Sequence, residues 1–370
     1  MPIQPRSRLR QLLFLTALPA ILAWWAGPPA AAAQRYRLIA ELTLGSPSHW
    51  NYIHYEPRAR RVYVAHGTEI TVVDARKDRV VGRIDGIADS HGIVAVPALG
   101  RGYADDGITG KVTVFQLSSL KPIGQIPADR GSDGEAYDTS RNLLVVVNGH
   151  ARDASLIDAV TDELLTNVPL GGKPAGVITN DAGKAFVNIS SSNQIVRIYL
   201  ADKSVDARWP IPGCLSPHGL AIDSRTHRLF IACANARMVI LNASSGRLIA
   251  RLPISAGTDS TAFDPERELA LSLNKDGTLS EIGEESSSRF LSLGDVSTVF
   301  DARTMAEDPK SGDIFLVTAD MTGSRAADCG TNTRNAQLES GAAKLLVFAP
   351  VVDLSQAVLH QGGPSRSITW

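Results

Sequence analysis

Short apolar segments alternate with polar turn clusters along most of the 370-residue chain. An apolar strand core recurs seven times, and its landmark residues are Tyr63, Tyr103, Val145, Phe186, Phe230, Leu271 and Phe315. Successive landmarks lie 40, 42, 41, 44, 41 and 44 residues apart, which is the spacing of four-stranded propeller blades. Val, Ile and Leu runs bounded by Asp, Asn, Gly and Ser are typical of strands and turns. The pattern therefore predicts an all-β, seven-bladed β-propeller.

A second pattern runs in step with the first. Three thirteen-residue segments, 72–84, 156–168 and 240–252, align without a gap and begin 84 residues apart. Degenerate copies open between them at Val114 and Ile198, so the underlying repeat has 42 residues. A repeat of this length supports a single propeller domain, although the length of the chain alone would permit two domains.

The ends of the repeat predict how the ring closes. In the last blade we expect inner strands near 299–300, 313–317 and 344–348, and no clear outer strand follows them. An unpaired strand at 36–44 precedes the first blade. We expect this strand to complete the seventh blade, because that pairing removes the free sheet edges of an open ring.

The N-terminal residues have the composition of a secretory signal peptide. Arg6, Arg8 and Arg10 precede an apolar run at 12–25, and three alanines at 31–33 supply a small-residue cleavage site. A transmembrane anchor is the alternative, but Pro19 interrupts the run and the run is shorter than the ~20 residues of a span. We therefore predict a signal peptide at 1–33, the propeller at 34–352 and a C-terminal tail at 353–370.

Charge and cysteine content narrow the classes of function. Removing residues 1–33 takes away three Arg and leaves 34 Lys+Arg against 38 Asp+Glu, a net charge of −4. This balance counts against nucleic-acid binding, which needs a basic surface. Three cysteines are present, Cys214, Cys233 and Cys329. A local Cys214–Cys233 disulfide, a disulfide to Cys329 and three free thiols are the alternatives.

The repeat resembles that of a known family. The strands VYVA at 62–65, AFVN at 185–188 and LFIA at 229–232, with segments like VVDARKDRVVGRI at 72–84, are similar to YVTN-repeat β-propellers, which include the YncE-like periplasmic proteins. The resemblance covers about residues 36–350. It implies a propeller in the periplasm or outside the cell, and it makes nucleic-acid binding worth naming. It says little about function, because propellers host many unrelated activities.

The propeller register predicts one concentration of polar side chains. If strands a to d run from the channel outward in each blade, every strand a begins at the face that carries the d–a and b–c loops. The candidates for a ligand site at this channel mouth are His49, Asn51, His91, Asp133, Glu135, Lys173, His218, Asp259, Asp301 and Arg303. The alternative for each residue is structural, because the rim of a propeller channel is wet and its polar groups bond to neighbouring blades.

Two functions remain open at that mouth. The first is binding of a small molecule, a peptide or a protein partner by a protein that we expect to be a monomer without a membrane span once the signal peptide is removed. The second is a metal-dependent hydrolase or lyase, in which His91, His218 and Asp259, or Asp133, would hold a divalent ion. Neither a GxSxG nor a phosphate-binding glycine loop occurs in the sequence.

Overall fold

The computed structural model describes residue 1 and residues 35–45, 49–319 and 342–351. The predicted signal peptide apart from Met1, the residue Cys329 and the predicted tail lie outside these residues. In the described part of the chain the regular elements are all strands. In chain order they are β1 (Tyr36–Gly45), β2 (Ile53–Glu56), β3 (Arg61–His66), β4 (Glu69–Asp74), β5 (Arg79–Asp85), β6 (Ser90–Val96), β7 (Arg101–Asp106), β8 (Lys111–Gln116), β9 (Pro122–Pro127), β10 (Ser132–Asp138), β11 (Leu143–Asn148), β12 (Asp153–Asp158), β13 (Glu163–Pro169), β14 (Pro174–Thr179), β15 (Lys184–Ile189), β16 (Gln194–Tyr199), β17 (Ser204–Pro210), β18 (Pro217–Asp223), β19 (Arg228–Cys233), β20 (Arg237–Asn242), β21 (Leu248–Pro253), β22 (Thr258–Asp264), β23 (Leu269–Asn274), β24 (Thr278–Ser286), β25 (Arg289–Ser297), β26 (Thr304–Glu307), β27 (Ile314–Ala319) and β28 (Ala343–Pro350).

The strands form seven antiparallel sheets of four strands each, which confirms the predicted seven-bladed β-propeller. Blades one to six take their strands in sequence order, from β2-β3-β4-β5 to β22-β23-β24-β25. The first strands of neighbouring blades contact one another and surround the channel. We call the face with the d–a and b–c connections the upper face and the opposite one the lower face.

The seventh blade closes as the sequence predicts. Its sheet order is β1-β28-β27-β26, so the N-terminal strand is its outermost member. Tyr36 pairs with Pro350 and Thr43 with Lys344 in an antiparallel register. The predicted innermost strand was wrong in position, because residues 299–300 lie in the connection before β26 and the strand begins at Thr304.

The 84-residue spacing in the sequence arises because three alternate blades have the same turn between their third and fourth strands. After strand c, a side-chain oxygen of Asp74, Asp158 or Asn242 accepts a hydrogen bond from the backbone amide two residues later, at 2.8–3.0 Å. Four residues after each of these acceptors the backbone enters the left-handed region, with φ of 46° at Asp78, 60° at Asp162 and 70° at Gly246. Asp, Asn and Gly are the residues that these positions favour, so the repeat encodes the c–d turn of alternate blades.

Candidate functional site

The predicted mouth residues converge on the upper face. Six of them, Asn51, Asp133, Lys173, His218, Asp259 and Arg303, line a cavity of about 230 Å³, which we call the upper cavity. Asp301 lies beside Arg303 in the connection before β26, and His49 is exposed at the edge of the mouth, near Asp89 and Arg303. Glu135 lies deeper, in the wall of the channel. The starts of the first strands therefore bring both signs of charge to one concavity.

His91 is held between two carboxylates. Its Nδ1 lies 3.1 Å from Asp133 Oδ1 and its Nε2 lies 3.0 Å from Asp89 Oδ2. Burial acts to lower the pKa of His91, but the hydrogen bond to Asp133 and the charges of Asp105, Asp133 and Asp89 outweigh it and raise the pKa to about 9. His91 is therefore a cation at neutral pH.

His218 occupies the equivalent place three blades further round the ring. Its Nδ1 lies 3.6 Å from Asp259 Oδ1, the residue that corresponds to Asp133. Its Nε2 lies 3.2 Å from the hydroxyl of Ser216, which takes the place of Asp89. Asp259 Oδ2 also lies 3.7 Å from Lys275 Nζ. Both histidine sites therefore have a carboxylate at Nδ1, closer in the first than in the second, and they differ in the group that faces Nε2 and in the presence of Lys275.

Tyr52 divides the channel. It corresponds in register to Gly92 and Gly134, and its phenol crosses from the first blade to donate a hydrogen bond of 3.3 Å to the carbonyl of Ala175 in the fourth blade. A Cβ at Gly134 would lie 3.5 Å from the phenol oxygen. Tyr52 and Ala175 line both the upper cavity and a second cavity of about 710 Å³, the lower cavity, which reaches the a–b turns of the lower face.

Two carboxyl groups are buried beside the partition. Asp105 accepts hydrogen bonds of 2.8 Å from the amides of Gly92 and Gly134, yet burial raises the pKa of Asp105 to about 6. Burial and the nearby Asp105 also raise the pKa of Glu135 well above its ordinary value. Both carboxyl oxygens of Glu135 are buried without a hydrogen-bond partner. Its buried environment therefore favours the neutral form of the carboxyl group.

Arg303 is the best-supported cation of the mouth. Its guanidinium stacks on Trp50, 5.0 Å from the ring centroid, and Trp50 is 1% exposed. Burial raises the pKa of Asp301, and the charges of Arg303 and Lys275 act in the opposite direction. A guanidinium stacked on a buried ring is oriented for hydrogen bonds to a carboxylate.

A disulfide fixes the connection that carries Ser216. Cys214 and Cys233 are joined, with their Cα atoms 5.4 Å apart. Cys233 pairs across the sheet with Pro217, the residue between Ser216 and His218. The amide of Ser216 donates a 2.7 Å hydrogen bond to Asn193 Oδ1. Cys214–Cys233 is thus the local pairing among the alternatives that the sequence leaves open, and it holds the backbone next to His218.

A metal ion would need several of these side chains to converge on one point. Across residues 35–45, 49–319 and 342–351, no three His, Cys, Asp or Glu side chains come together in a group that could hold a metal ion. His91 faces Asp89 and Asp133, and His218 faces Asp259. The predicted combination of His91, His218 and Asp259 is therefore divided between two separate histidine sites.

Sequence reasoning missed four residues that shape the mouth: Tyr52, Asp89, Ser216 and Lys275. Asp89 and Ser216 each stand two residues before the histidine of a matching strand. A comparison of positions outside the strands would have found this pair. Tyr52 and Lys275 give no such signal, because their contacts join distant parts of the chain.

Comparisons with known proteins agree on the architecture alone. No family model matches the chain, and no curated protein matches it. Among solved structures it is similar to a chain of the crystal structure of the mitotic checkpoint complex, with a TM-score of 0.68 and 13% identity, over 84% of this chain and 96% of that chain. At this identity the likeness shows the propeller fold alone. Among the described residues, no helix is long and apolar enough to cross a membrane.

Proposed function

We propose that the protein is an exported ligand-binding propeller of the YVTN-repeat type, which holds a small zwitterionic ligand or the end of a peptide in the upper cavity. The convergence of Lys173 and Arg303 with Asp133 and Asp259 around that cavity carries the proposal. A ligand with one carboxylate and one ammonium group matches charges of both signs in a single concavity.

The charges of the mouth favour a zwitterionic ligand over a ligand that carries a single charge. The mouth holds the cations Lys173, Arg303 and protonated His91, and the carboxylates of Asp133 and Asp259. An anion would be attracted by the first group and repelled by the second. Placing opposite charges of the ligand against opposite charges of the rim satisfies both groups and selects orientation as well as charge.

The proposed export of the protein and its proposed family are each supported by other features. The Cys214–Cys233 disulfide is the kind of cross-link that persists in the periplasm and outside the cell. The N-terminal arginines and the apolar run fit a secretory signal. The repeated c–d turn and the strand motifs are the features shared with YVTN-repeat propellers.

Titration calorimetry with glycylglycine tests the binding function, with acetate and methylamine as ligands that carry a single charge. We expect measurable binding of the dipeptide and much weaker binding of either single-charge ligand. Arg303→Gln should reduce dipeptide affinity by about tenfold or more, as expected for a lost charge-assisted hydrogen bond. Arg58→Gln, at the lower face, is the matched control. Equal affinity of the wild type and Arg303→Gln, or no heat with any of the three ligands, would contradict the proposal.

The two alternative functions, metal-dependent hydrolysis and nucleic-acid binding, have less support. The metal-dependent hydrolase lacks a three-residue ligand group in the described ranges. Nucleic-acid binding calls for a continuous basic surface, whereas the mouth carries both signs of charge.

A further inference from the structure

One constellation in the mouth has the arrangement of a hydrolase rather than of a binding site alone. The hydroxyl of Ser216 lies 3.2 Å from His218 Nε2, and Asp259 Oδ1 lies 3.6 Å from His218 Nδ1. A carboxylate facing Nδ1 favours the tautomer with its proton on that nitrogen, which leaves Nε2 free to accept the hydroxyl proton. Nucleophile, base and orienting acid therefore stand in the order that acyl transfer requires.

We propose that Ser216, His218 and Asp259 form a serine nucleophile site that hydrolyses small polar esters. In the first step Ser216 Oγ bonds to the carbonyl carbon and its proton passes to His218 Nε2. Collapse of the tetrahedral intermediate breaks the ester C–O bond, and the leaving alcohol takes the proton from His218. Water then attacks the acyl carbon and gives one proton to His218. The bond between the acyl carbon and Ser216 Oγ breaks, Oγ takes that proton back from His218, and the carboxylic acid is released.

The second histidine site provides an internal comparison. At the matching positions Asp89, His91 and Asp133 repeat the geometry, with a carboxylate where Ser216 has a hydroxyl. A histidine between two carboxylates is held as a cation and cannot accept a proton. The hydroxyl of Ser216 leaves His218 without that second negative partner. The second site therefore places a nucleophilic hydroxyl where the first places a carboxylate.

The backbone at Ser216 supports a positioned nucleophile. Its φ is 48°, in the left-handed region that non-glycine residues seldom adopt. The hydrogen bond from its amide to Asn193 and the neighbouring Cys214–Cys233 disulfide hold that conformation. In α/β-hydrolases the nucleophilic serine also sits on a strained turn, there between a strand and a helix, which presents its hydroxyl to substrate.

Charges around the site suit the negative charge that develops on the carbonyl oxygen. Lys173 and Arg303 line the upper cavity together with His218 and Asp259. Lys275 Nζ lies 3.7 Å from Asp259 Oδ2 and adds a further positive charge beside the site. Esters with a polar or anionic substituent are therefore the matching substrate class.

Labelling with a fluorescent alkyl fluorophosphonate tests the assignment directly. In this reaction the nucleophilic oxygen bonds to phosphorus and fluoride leaves, and mass spectrometry of the peptide 209–225 locates the adduct. We expect labelling of the disulfide-intact wild type at Ser216, no adduct at that position in Ser216→Ala, and labelling slower by roughly 10²-fold or more in His218→Ala, because the general base is lost. Hydrolysis of p-nitrophenyl acetate should fall in the same two variants.

Controls separate this proposal from the binding function and from misfolding. His150→Ala, at an exposed histidine in the b–c connection of the third blade, should be labelled at the wild-type rate. Ser216→Ala should keep glycylglycine binding and a wild-type melting temperature, so a failure of binding and a failure of hydrolysis are distinguishable. An unlabelled but folded wild type, or equal ester hydrolysis by the wild type and Ser216→Ala, would overturn the proposal.

Discussion

Replacing Glu307 with glutamine should remove a pH-dependent loss of stability at the junction between the sixth and seventh blades. Glu307 is the last residue of β26, and its Oε1 is buried without a hydrogen-bond partner. Burial raises the pKa of Glu307 from 4.5 to about 8, with a further increase from Asp264 and an opposing effect of Arg267. Tyr36 of the closing strand interacts with the same carboxyl.

The direction and size of the effect follow from proton linkage. The folded chain holds a proton on Glu307 that the unfolded chain releases above pH 4.5, so folding takes up a proton between pH 4.5 and about 8. The stability contributed by Glu307 is complete below pH 4.5 and is lost as the pH rises through about 8. At ~1.4 kcal/mol per pKa unit the loss is roughly 3–5 kcal/mol. Glutamine is neutral at every pH and can still donate a hydrogen bond to Asp264.

Urea unfolding at pH 5, 6.5 and 8 measures this effect. At pH 5 the free energies of unfolding of the wild type and Glu307→Gln should differ by only about 1 kcal/mol, because the unfolded carboxyl has just begun to ionise. At pH 8 the variant should be more stable by roughly 3–5 kcal/mol. Glu266→Gln removes an exposed carboxylate from the adjoining a–b turn and should follow the wild type throughout. Parallel pH curves for the wild type and Glu307→Gln would refute the reasoning, because they would mean that Glu307 titrates alike in both states.

Three further predictions concern the mouth and the channel. The pKa of His91 is raised to about 9, so the stability that its charge contributes should be complete below pH 6.5 and lost as the pH rises through 9. An NMR titration of the imidazole with a midpoint near 6.5 would contradict this. Tyr52→Ala should join the upper and lower cavities in a crystal structure and lower the free energy of unfolding by roughly 1–3 kcal/mol; two cavities still separated by other side chains would show that Tyr52 is not the partition. Replacing Cys214 and Cys233 by alanine should cost roughly 2–4 kcal/mol, and a reducing agent should lower the urea midpoint of the wild type but not of the variant.

The blades could be predicted from the sequence because their determinants are local. Strand b of each blade is an apolar run, and the c–d turn needs Asp, Asn or Gly at two fixed positions, so the repeat is visible without contacts. The innermost strand of the seventh blade was misplaced for the same reason. Val299 and Phe300 form an apolar pair like those of strands, yet the Phe300 side chain is 51% exposed in a connecting loop. Local composition does not distinguish a buried pair from an exposed one.

The mouth could be predicted as a region but not as a set of contacts. The propeller register places the beginnings of the first strands together, and this brought Asp133, Lys173, His218 and Asp259 to one cavity as expected. The partner of each side chain depends on rotamers and on residues from the neighbouring blade. Tyr52, whose phenol bonds across the channel to Ala175, shows this most clearly. No periodicity in the sequence marks a residue that reaches from the first blade to the fourth.

The two histidine sites show how a repeat protein can acquire different chemistry at equivalent positions. Repetition gives His91 and His218 the same strand, the same neighbouring carboxylate and the same channel edge. One position, two residues earlier, then changes the group at Nε2, because Asp89 offers a carboxylate there and Ser216 offers a hydroxyl. Against the effect of burial, the raised pKa of His91 comes from the hydrogen bond to Asp133 and from the charges of Asp105, Asp133 and Asp89. The surroundings also differ, because Ala232 stands at the position in the fifth blade that Asp105 occupies in the second. The propeller therefore carries an internal control for the role of Ser216, which a search for known catalytic sequence motifs does not reveal.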